Sequence, residues 1–128
     1  MLWEDFIEKE LIGSGHITSC AIIESEYGDT LASSKNWDLK ENERSNIIDF
    51  FDSPDDEKLR FTINEVKYHV TSTKENVILG LAAGTRIALC KRGEYIVIGF
   101  TDKNDKFEDI ARVCKNAVNY LNENSKPE

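Results

Sequence analysis

A chain of 128 residues, 40% hydrophobic and 31% charged with only two prolines, has the length and make-up of one folded domain with a real core. Its formal net charge of -8 offers no overall attraction to nucleic-acid phosphates or to an anionic membrane surface. No apolar run approaches the roughly 20 residues of a membrane helix. Charges at Glu4, Asp5, Glu8, Lys9 and Glu10 interrupt the start, so no secretory leader is expected.

From Leu2 to Ile12 the apolar positions Trp3, Phe6, Ile7 and Leu11 follow helical spacing, and Gly13-Ser14-Gly15 stops the helix. ITSCAII, residues 17–23, is rich in β-branched side chains and predicts a buried central strand. A turn at Tyr27-Gly28-Asp29 leads to a short partner strand, Thr30 to Ser33. A second helix is expected from about Leu39 to Phe51, with Asp38 as N-cap and Glu41 completing a variant capping box. Its apolar residues, Ile47, Ile48, Phe50 and Phe51, crowd the C-terminal half, which leaves the first turns to solvent. Ser53 to Lys58 is a polar breaker.

The period then changes from helix to strand. LRFTI, VKYHVTS, NVILGLA, TRIALCK and EYIVIGF succeed one another, with a tight hairpin expected at Asn64-Glu65 and a bulged turn at Arg92-Gly93. A last helix from about Lys106 to Asn122 carries the stripe Ile110, Val113, Cys114, Ala117 and Leu121, and residues 124–128 are expected to fray. Short connections favour antiparallel pairing, while EYIVIGF and ITSCAII are apolar on both faces. The expected fold is therefore α+β, one domain over residues 1–128. A central antiparallel sheet of six or seven strands has the terminal helices together on one face and the middle helix on the other.

Chemistry-bearing patterns are sparse. Cys20, Cys90 and Cys114 sit in apolar stretches and read as reduced, buried thiols of a cytosolic protein rather than metal ligands. His16 and His69 have no nucleophile placed beside them by any motif, and G-L-A-A-G-T at 80–85 lacks the lysine and helix of a phosphate loop. No enzyme, metal or cofactor is expected. The informative feature is aromatic: Trp3 and Phe6 near one end, Tyr120 near the other. If the terminal helices lie side by side, these rings form a surface suited to an extended proline-rich ligand.

The chain resembles the profilins, small proteins that bind monomeric actin. The resemblance spans nearly the whole length and rests on MLWEDFIEKEL, on CAII followed by a glycine turn, and on NEVKYHV, EYIVIGF and VNYL in that order. It implies binding of actin monomers, of poly-proline stretches and of phosphoinositides, by a protein of the cytoplasm and cytoskeleton. For proline-rich segments it implies Trp3, Phe6, Leu31 and Tyr120. Phe6 stands where tyrosine is usual, and Leu31 where a tryptophan is usual, so that binding is expected to be weak. For actin it implies Lys67, Val70, Lys91, Lys106 and Arg112. Leu79, Leu81, Ala82 and Ser72 stand at or near positions where basic residues are common, which counts against phosphoinositide binding and implies modest actin affinity. The acidic surface favours a monomer. A second reading keeps the same sandwich but makes it a proline-rich-peptide module with little or no actin binding.

Overall fold

The computed structural model describes residues 2–35, 37–52 and 60–124. In chain order these form α1 (Trp3–Glu10), a 3-10 turn (Ile12–Ser14), β1 (Ser19–Glu24), β2 (Thr30–Ser33) and α2 (Glu41–Asp52). Then come β3 (Arg60–Ile63), β4 (Val66–Lys74), β5 (Val77–Ala82), β6 (Thr85–Arg92), β7 (Tyr95–Thr101) and α3 (Phe107–Glu123). The expected breaker at Ser53 to Lys58 and the last four residues of the expected tail lie outside the described residues.

The strands make one antiparallel sheet in the order β2-β1-β7-β6-β5-β4-β3. β3 to β7 form a meander, and β1 returns to close against β7, pairing Ser19 through Glu24 with Phe100 back to Tyr95. That places the two most apolar strands side by side in the interior of the sheet, at neither edge. Tyr95 to Gly99 are buried without interruption, as a strand covered on both faces requires. One core lies between the sheet and α1 with α3, built on Phe6, Leu11, Ile22, Val97, Ile110 and Leu121. The other lies under α2, built on Ile23, Trp37, Ile47, Phe50, Ile87 and Ile98. The two terminal helices thus share a face, with α2 opposite.

Two glycines set how closely the layers approach. A Cβ on Gly99 would lie 2.5 Å from Cys114 Sγ and 2.7 Å from Ile17 Cδ1, so α3 seats on β7 where a side chain is missing. A Cβ on Gly80 would lie 2.8 Å from Phe61 Cζ, leaving room for the ring stacked 5.5 Å from Tyr68.

The start of α2 differs from expectation. Lys40, not Asp38, is the N-cap: its carbonyl accepts the Arg44 N–H at 3.0 Å. Glu43, not Glu41, reaches back to accept the Lys40 N–H at 3.0 Å. The Glu43 carboxylate also accepts the N–H groups of Asn64 at 3.1 Å and Glu65 at 2.9 Å, and the side chain is buried. Asn64 and Glu65 both have positive φ, 51° and 66°, as a tight hairpin turn demands. The first turns of α2 are therefore not simply solvated; a carboxylate with three amide donors pins them to the β3–β4 turn. A second turn of this kind, Glu75-Asn76 with φ of 51° and 64°, carries no glycine to announce it.

Candidate binding surfaces

The chain ends meet through three rings. Trp3 and Phe6 have centroids 6.2 Å apart at an edge-on angle, and Phe6 lies 5.6 Å from Tyr120 on α3. The i, i+3 spacing puts Trp3 and Phe6 on one side of α1, and the α3 stripe turns Ala117 and Leu121 inward and leaves Tyr120 at its margin. Phe6 is fully buried (0% exposed), whereas Tyr120 is 38% exposed and Trp3 half-buried. Phe6 is therefore the wedge that joins the helices, not a ring offered to a ligand; the accessible aromatic surface is left to Trp3 and Tyr120. Leu31, half-buried on β2, adjoins Trp3 across a shallow cleft of about 380 Å³ that Leu2, Ile7 and Ser33 also line. Tyr95 completes the group from below, 6.3 Å from Trp3 and buried. Sequence reasoning missed it, because an aromatic opening an apolar strand reads as core.

The five cationic and apolar positions expected for actin divide between two faces. Lys106, the N-cap of α3, is exposed, and so is Arg112, which pairs with Asp109 at 2.9 Å. Lys67 is exposed on β4. Strand alternation turns it to the α3 side, opposite Tyr68, which faces α2. Val70 and Lys91 lie on the other face. Val70 packs against the core under α2, and Lys91 Nζ reaches Asp52 at the end of α2, 3.6 Å away.

The α3 side of the sheet carries further groups that the sequence reading did not single out. Leu81, directly opposite His69 in the β4–β5 register, is 38% exposed. The Arg86 guanidinium lies 5.4 Å over the Phe107 ring and donates to the Asp105 carbonyl at 2.8 Å. The signal for Arg86 is present in TRIALCK, where it alternates in phase with the buried Ala88 and Cys90. A charge at such a position marks the edge of what α3 covers.

The buried thiols Cys20 and Cys114 are held quiet. Burial pushes the Cys20 thiol up to about 12, while a hydrogen bond with Cys90 and burial raise Cys114. These thiols stay protonated at neutral pH and are poor nucleophiles. His16 is committed to Asp105, with Nδ1 and Oδ1 2.9 Å apart. That bond, the largest cause, holds the Asp105 carboxyl below its ordinary range.

A curled antiparallel sheet between two terminal helices and a middle one, with rings exposed where the chain ends meet, defines a small binding module. The chain belongs to the profilin family: the Profilin family model matches residues 1–126. It is 30% identical over 125 residues to Profilin-P of Physarum polycephalum, covering 97% of this chain and 98% of that one. Its fold is similar to that of Schizosaccharomyces pombe profilin, with a TM-score of 0.86 at 18% identity over 94% of this chain and 97% of that one. Two similar structures hold ligands. LokiProfilin1 in complex with rabbit actin has a TM-score of 0.79 at 16% identity, covering 94% of each chain. Mouse profilin IIa in complex with a double repeat from the FH1 domain of mDia1 has a TM-score of 0.74 at 14% identity, covering 94% and 96%. Profilins bind actin; they are not enzymes.

Proposed function

We propose that this profilin binds monomeric actin through the α3 side of β4 to β6 together with the start of α3. In the same reading it binds proline-rich segments, weakly, through Trp3 and Tyr120. One observation carries the reading: the two surfaces occupy opposite ends of α3. Phe107 and Tyr120 are thirteen residues apart on that helix, which at 1.5 Å per residue is roughly 20 Å. An actin monomer and an extended peptide can then be held at once, and a proline-rich partner can deliver the monomer to a filament end.

Lys67, Arg86, Lys106 and Arg112 steer an acidic partner, and Leu81 with Phe107 supplies apolar area. Val70 and Lys91, on the far face, belong to the α2 side and are left out of this surface. Proline rings stack on the exposed parts of Trp3 and Tyr120, whose polar edges reach the ligand carbonyls. Leu31 offers no indole edge and Phe6 no accessible ring, which is why the peptide affinity is low. The likeness to profilins solved with actin and with a proline-rich repeat supports both halves of the reading. The same reading is of a protein of the cytoplasm and cytoskeleton, and the net charge of -8 favours a monomer.

The test is pyrene-actin assembly and sedimentation with tens of micromolar protein, a choice of order of magnitude for a weak complex. A reduced polymer fraction is expected. An unchanged fraction, with poly-proline binding retained, favours the peptide module without actin.

A further inference from the structure

The start of α3 is anchored from the opposite end of the chain. Lys106 caps the helix with its backbone only, for no side chain caps it. The residue before it, Asp105, makes the connections instead. One carboxylate oxygen meets His16 Nδ1 at 2.9 Å, the other accepts the buried Thr101 hydroxyl at 3.3 Å, and the carbonyl accepts Arg86 at 2.8 Å. Two segments distant in sequence, the loop after α1 and β6, therefore converge with the nearby end of β7 on a single residue. Beside them the Thr18 hydroxyl donates to Asp102 at 3.0 Å. The start of α3 is also where Lys106 and Phe107 present themselves on the actin surface proposed above.

His16 meets Asp105 from the loop before α3, and the other charged groups on the segments joined there are Asp102 and Lys103 beyond the end of β7 and Arg86 from β6. Carboxylates, lysines and arginines ordinarily keep one charge between about pH 5 and 8, whereas histidine does not. The neutral imidazole still donates Nδ1–H to Asp105, so the bond survives at high pH. The imidazolium makes it charge-assisted, and such bonds are stronger.

We propose that His16 is a positioning residue for actin binding: its pairing with Asp105 holds the start of α3 in its docking conformation, and protonation of His16 tightens that hold. Actin binds the imidazolium form more tightly than the neutral one, while proline-rich ligands, bound roughly 20 Å away along α3, do not distinguish the two. The inference rests on the actin surface proposed above. A half-exposed pair of this kind makes the expected change modest, about two- to fivefold.

The experiment is titration of monomeric actin at about pH 6 and pH 8 with the wild type, His16→Gln and Asp105→Asn. Poly-proline binding serves as the control, and NMR follows the His16 ring and the amide exchange of Asp105 to Phe107. Actin's own titration is common to all three proteins, so the ratio of wild-type to variant affinity is the readout. The expected result is a ratio that grows two- to fivefold toward the lower pH. Protection factors of the Asp105 to Phe107 amides, corrected for the pH dependence of intrinsic exchange, rise toward the lower pH in the wild type only, and poly-proline binding stays level. Equal pH slopes in wild type and variants, with actin binding intact, overturn the inference alone. Failure of the wild type to bind actin at either pH overturns the actin surface, and the inference with it.

Discussion

Two rings 5.6 Å apart, Phe6 and Tyr120, have opposite fates, and mutation separates them. Phe6 is enclosed, so Phe6→Ala opens a cavity and costs about 3–5 kcal/mol of stability in urea unfolding. Tyr120→Ala removes a partly exposed ring and lowers stability much less, by about 0.5–1.5 kcal/mol for the lost pair with Phe6. It weakens poly-proline binding by about tenfold in a tryptophan-fluorescence titration, the upper range for an aromatic pair. The reverse pattern, with Phe6→Ala stable and unable to bind, would contradict this assignment. Sequence spacing brought Trp3 and Phe6 to one side of α1. It did not tell which of them lies under α3, because burial depends on where the partner helix lands. Asp105 gives a prediction in acid. Its carboxyl sits below the ordinary 3.8, so its contribution to stability is complete above that value and is lost as pH falls through and below it. Asp105→Asn is therefore less stable than wild type at neutral pH and converges with it in acid, as thermal melts across pH will register.

At the scale of elements, α2 shows what local rules miss. The capping-box pattern was legible in outline, an acid three residues past a helix start, yet the pair used is Lys40 and Glu43. The choice is tertiary: only Glu43 can also take the Asn64 and Glu65 amides from the β3–β4 turn. No periodicity encodes that. Glu43→Ala leaves three backbone donors unmatched and is expected to cost about 1–3 kcal/mol. Glu43→Gln, which keeps an acceptor, costs less. Hydrogen exchange should show faster exchange at Asn64 and Glu65 as well as at the start of α2; loss confined to α2 would refute the link. The strands were easier, because VKYHVTS, NVILGLA and TRIALCK alternate or run apolar between recognisable turns. Glu75-Asn76 escaped notice because its positive φ values are imposed by the hairpin without a glycine.

For the whole molecule, the order of elements and the two-sided covering of the sheet could be read from the sequence, since β1 and β7 are apolar on both faces. The division of the actin candidates could not. Whether Lys91 faces α2 or α3 turns on register, and in this fold it faces Asp52. The layers themselves depend on Gly99. Gly99→Ala drives a Cβ to 2.5 Å from Cys114 Sγ and is expected to cost about 1–3 kcal/mol by overpacking, with the denaturant midpoint as the measure. Because α3 holds both proposed surfaces, one at each end, the most direct test is simultaneous occupancy. Poly-proline affinity is measured by tryptophan fluorescence, alone and with saturating monomeric actin under non-polymerising conditions. Separate surfaces predict a ternary complex and a peptide affinity unchanged within about twofold, well below the tenfold that 1.4 kcal/mol represents. Displacement of the peptide by actin would mean that the two ligands share one site, and would contradict the account.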